Sequence, residues 1–98
     1  MSHPFRCLIL LTLPIALWAE NGADQTQLDF ANGLFQRGFY KEAVQEYEAY
    51  LKANPNSASA PTAWYRLGES AYSSGVYDKA LSAFDQVLAS VADDATKK

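Results

Sequence analysis

The feature that most constrains this chain is an internal repeat. Gly38 to Leu51 reads GFYKEAVQEYEAYL, and Gly75 to Leu88 reads GVYDKALSAFDQVL, a shift of 37 residues. Gly38 pairs with Gly75, Tyr40 with Tyr77, Ala43 with Ala80, Tyr47 with Phe84 and Leu51 with Leu88. Upstream, Leu28 pairs with Tyr65, Phe30 with Leu67 and Phe35 with Tyr72. A fixed period of this size marks a stack of supersecondary units, each of which covers its apolar face with its neighbour.

Each unit reads as two helices around a tight turn. Leu28, Phe30, Ala31, Leu34 and Phe35 recur at helical spacing, behind Asp24 and Gln27 in a capping-box arrangement. Gly38 and Gly75 can take the left-handed conformation that ends a helix. Asn54-Pro55 stops the second helix, and Pro61 suits the first turn of the third. Ala43, Val44, Tyr47, Tyr50 and Leu51 form one apolar stripe, and Ala80, Leu81, Phe84, Val87, Leu88 and Val91 form another. The spacing predicts helices over 25–37, 41–53, 61–74 and 78–91, giving an all-α fold of two stacked helix–turn–helix hairpins, a fragment of an α-solenoid. Trp64, Leu67, Ala80 and Phe84 are expected inside. Gly68, Ala43 and Ala80 stand where paired helices must approach closely, and Tyr40 and Tyr77 suit the wedge between hairpins.

Residues 1–19 stand apart from this domain. Met1 to Cys7 carries Arg6, and Leu8 to Ala19 is the apolar run LILLTLPIALWA. That run is shorter than the roughly 20 residues needed to span a bilayer. A basic start, a short apolar run and small residues at its end read as a secretory signal peptide. Ala19 is the preferred last residue before cleavage, with Ala16 and Ala23 as alternatives; an uncleaved anchor or a buried helix is the competing reading. On this reading the protein is exported, to the periplasm or outside the cell, and no transmembrane helix remains in the mature chain. Cys7, the one cysteine, precedes the apolar run, so it suits neither lipidation nor a disulfide in the mature protein. The repeat domain is placed at 20–91, with repeats at about 24–57 and 61–91, and 92–98 is a polar tail expected to fray.

WYRLGESAYSSGVYDKALSAFDQVL resembles a tetratricopeptide repeat, with Trp64, Leu67, Gly68, Gly75, Tyr77, Ala80 and Phe84 at the family's spacing. The first repeat keeps Gly38, Tyr40, Ala43, Tyr47 and Pro55 but has no tryptophan, and Ala31 stands where the family usually has glycine. The long connection PNSASAPT is similar to that of the envelope branch of the family, the Tol–Pal-associated and outer-membrane-assembly types. The resemblance implies a scaffold of the bacterial cell envelope that binds a protein or peptide along the concave face of its first helices. The groove positions it implies are Leu28, Asn32, Phe35 and Gln36, then Thr62, Tyr65, Glu69, Tyr72 and Ser73. For Phe35 and Tyr72, packing between repeats is an equal alternative; for Asn32 and Glu69, an ordinary solvated surface is. A clamp for a terminal carboxylate is disfavoured: Asn32 and Arg66 match two of its donors, but Leu28 and Thr62 supply none.

Catalytic chemistry finds no foothold. His3, the one histidine, lies in the leader, so the mature chain has no imidazole for acid–base work. Glu42, Glu46 and Glu48 have no known metal-ligand spacing and read as a solvated helix face. Gly33, Gly38, Gly68 and Gly75 are too scattered to cradle phosphate, and helix termini and close packing account for them. No cofactor and no small-molecule substrate is expected. The net charge of −3, or −4 without Arg6, leaves no basic footprint for nucleic acid. Val87, Leu88 and Val91 leave a stripe uncovered on the last helix. The two repeats are therefore expected to belong to a longer array, to self-associate as a structural or oligomerising unit, or to dock on a partner.

Overall fold

A computed structural model describes residues 24–97, and all of their regular structure is helical. Helix α1 covers 24–36, α2 is Tyr40–Ala53, α3 is Ala60–Ser73 and α4 is Tyr77–Lys97. The expected signal peptide, with its expected cleavage sites at Ala16, Ala19 and Ala23, lies outside the described residues.

Both hairpin turns are built the same way. Phe39 N donates to Leu34 O at 2.9 Å and Gly38 N to Phe35 O at 3.0 Å. In the second hairpin, Val76 N donates to Ala71 O at 2.9 Å and Gly75 N to Tyr72 O at 3.1 Å. These paired bonds satisfy the last carbonyls of α1 and α3, and they require a left-handed residue at the turn. Gly38 and Gly75 supply it, with φ of +83° and +85°.

The connection between the hairpins is held from within. Asn54 donates to Tyr50 O through both its backbone N (2.8 Å) and its side-chain Nδ2 (3.0 Å). The Tyr50 hydroxyl lies 2.7 Å from Ser57 Oγ, which also accepts from Ser59 N at 3.0 Å. Ser59 precedes α3 without a side-chain cap, and Pro61 occupies its first turn. The extra length of this repeat is thus an ordered turn anchored on a buried tyrosine.

The core is small-residue rich. Leu28, Ala31, Ala43, Tyr47, Tyr50, Leu51, Ala63, Leu67, Ala71, Ala80 and Ala83 are buried, with Leu34, Phe35, Trp64 and Phe84 packed against them. Helix α3 is the centre of the stack, packing on α2 and on α4. Leu67 and Ala80 are inside as expected, whereas Trp64 and Phe84 are only partly buried. Gly68 explains how α3 and α4 come so close: a Cβ there would stand 2.5 Å from Cε1 of Phe84.

Three expectations need correction. Asp24 already lies within α1 rather than capping it, where Gln25 donates to Asp29 one turn on at 2.8 Å. Helix α4 does not end near Val91 but runs on to Lys97; Ala92 and Ala95 favour helix, and no Gly or Pro stands there to stop it. Gly33 is neither at a helix end nor in close packing. It sits inside α1, with nothing within 4 Å of where a Cβ would be.

Candidate functional site

The concave-face positions lie on α1 and α3, the first helix of each hairpin. Stacking the hairpins brings part of this set together. Arg66 is the joint: its guanidinium carbon lies 4.8 Å from the Phe35 ring centroid of the first repeat, and its Nη1 donates to Glu69 Oε1 at 3.0 Å. The stacked guanidinium and the ion pair hold each other in one orientation. Beneath them lies Tyr47, fully buried, whose hydroxyl donates to Asn32 Oδ1. Burial pushes the Tyr47 phenol up to about 12, with the positive charge of Arg66 pulling it down and Glu69 adding to the rise. Asn32, Phe35 and Glu69 therefore form one polar-aromatic seam with Arg66 and Tyr47, spanning both repeats.

The remaining positions divide. Tyr65 and Tyr72 stand two turns apart on α3, 47% and 63% exposed. Tyr65 packs on Phe84 at 5.9 Å between centroids, and Tyr72 meets Tyr77 edge-on at 5.3 Å. Each ring is braced on one side by α4 while its other side is open. Phe35 is braced in the same way by Tyr40, at 5.6 Å. Gln36, Thr62 and Ser73 are exposed. Leu28 turns inward, 8% exposed, because it packs in the core of the first hairpin; it contributes to the fold rather than to an open surface.

The sequence pattern singled out Arg66 only as a donor of a carboxylate clamp. Its bond to Glu69 at i+3 was within reach of a helical-spacing argument, but its stacking on Phe35 depends on how two hairpins pack. A second concavity escaped notice. A cleft of about 700 Å³ opens between the connection and the end of α4, lined by Pro55, Ser57, Pro61, Trp64, Ser90 and Val91 among others. It exists because α4 continues past the point where α2 ends.

Among the described residues no group of three or more His, Cys, Asp or Glu side chains could hold a metal ion. No helix among them is long and apolar enough to cross a membrane. No curated protein and no solved structure matches the chain. The family model for the tetratricopeptide repeat matches residues 28–95, the span that carries both hairpins, both left-handed glycine turns and the seam. Repeats of this kind generally mediate protein–protein interaction. The chain belongs to the tetratricopeptide repeat family.

Proposed function

We propose that the protein is a non-catalytic scaffold of the bacterial cell envelope that holds a segment of a partner protein along the face shared by α1 and α3. One observation carries this reading. Two braced, half-open tyrosines, Tyr65 and Tyr72, flank a pre-ordered Arg66–Glu69 pair stacked on Phe35. Rigid aromatic rings beside fixed polar groups contribute strongly to protein recognition, because little side-chain entropy is lost when a partner arrives. The signal-like composition of residues 1–19 supports export to the periplasm, and the long inter-repeat connection supports kinship with the Tol–Pal-associated and outer-membrane-assembly types.

A photo-cross-linking residue at position 65 or 72 is expected to capture a partner in the native envelope that the same residue at position 42 does not. With that partner purified, Tyr65→Ala combined with Tyr72→Ala is expected to weaken binding by about 2 kcal/mol or more, while Glu42→Ala with Glu46→Ala on α2 leaves it nearly unchanged. Equal affinity of the folded tyrosine variant and the parent excludes the groove. Export is tested separately, by N-terminal sequencing of protein from the native host: an intact Met1 refutes removal of the leader.

A further inference from the structure

The two ends of this stack are halves of an interface that the molecule already contains once. Helices α2 and α4 carry the same stripe one repeat apart: Tyr40, Val44, Tyr47 and Leu51 against Tyr77, Leu81, Phe84 and Leu88. In α2, Val44, Tyr47 and Leu51 are 7%, 0% and 4% exposed. In α4, Leu81 and Leu88 are 64% and 66% exposed, and Val91 continues the stripe at 62%. What α2 has and α4 lacks among the described residues is a following hairpin, whose first helix α3 packs on it. Among the residues that α3 turns inward are Ala63, Leu67 and Ser70, all buried.

The positions one repeat before these are Thr26, Phe30 and Gly33, and they form the outer face of α1. Phe30 is 57% exposed, and Gly33 has open space where a Cβ would be. So α1 shows outward the pattern that α3 turns inward: a large apolar side chain between two small positions. We infer that this protein self-associates head to tail, with α4 of one copy packed on α1 of the next as α2 packs on α3 within the chain. The occupant is a second copy because the chain itself displays both the face and its complement. Such a contact joins unlike surfaces, so it leaves a free face at each end until a ring closes, and it extends the concave face by one copy at each step. This inference stands independently of the groove reading.

The test uses two variants of the full chain, Leu88→Lys on α4 and Phe30→Lys on α1. Both replace exposed residues, and circular dichroism verifies the helices. The parent is expected to show concentration-dependent mass by sedimentation. Each variant alone is expected to associate at least tenfold more weakly, and an equimolar mixture to form a discrete 1:1 dimer through the one intact pair of faces. Three results overturn the inference. One is a parent that stays monomeric across the concentration range. Another is a Phe30→Lys chain that dimerises as well as the parent, which indicates two-fold contact between α4 helices. The third is a mixture that does not pair.

Discussion

Gly33 and Gly68 both lie inside helices, but their surroundings differ. Glycine inside a helix costs roughly 0.5–1 kcal/mol relative to alanine. Nothing stands near the missing Cβ of Gly33, so Gly33→Ala is expected to stabilise the fold by about that amount. At Gly68 the same methyl meets the Phe84 ring at 2.5 Å, and displacing a packed ring costs about 1–3 kcal/mol. Both variants gain the same helix preference, so chemical denaturation of the two is expected to separate them by about 1–3 kcal/mol. Tyr47 gives a second prediction at this scale. Its phenol, held up to about 12 by burial, ionises at about 10 in the unfolded chain. The stability this protects is complete below pH 10 and is lost as pH rises from 10 to 12, because only the unfolded state releases the proton in that window. Tyr47→Phe is expected to flatten the fall in melting temperature over that range, and a titration of tyrosinate absorbance to lose its late-ionising component.

The helices were the part of the structure most legible in the sequence, because the repeat, the apolar spacing and the Gly and Pro positions all act locally. The end of α4 was not. Its polar final turns lack an apolar face, yet no Gly or Pro interrupts them, and Ala92, Ala95 and Lys97 favour continuing a helix already formed. The seam was half legible. Asn32, Phe35 and Glu69 follow from position within a repeat. Their meeting through Arg66 and Tyr47 follows from the stacking of hairpins, which a single helix does not encode. The same limit hid the role of Tyr50, which anchors the connection by its contact with Ser57 Oγ at 2.7 Å. Tyr50→Phe is expected to cost about 1 kcal/mol, and Ser57→Ala more, because Ser57 Oγ also accepts from Ser59 N. A double-mutant cycle on thermal unfolding is expected to show that the costs do not add, because both remove the same bond.

Over the whole molecule, burial is unequal. The first hairpin is covered by α3, and α3 is covered on both sides, but α4 keeps Leu81, Leu88 and Val91 in water. The ion pair between Lys79 and Glu48 (2.8 Å) ties α4 to α2, but exposed pairs of this kind contribute only about 0–1 kcal/mol. A repeat array with such a gradient does not open all at once: the element with fewest buried neighbours detaches first, at a fraction of the global free energy. Native-state hydrogen exchange on dilute protein is therefore expected to rank the amides, with those of α4 beyond Leu88 exchanging fastest and those around Tyr47, Leu67 and Ala71 slowest. The slow set would mark what must unfold globally before a protease can cut, and the fast set where a nick would come first.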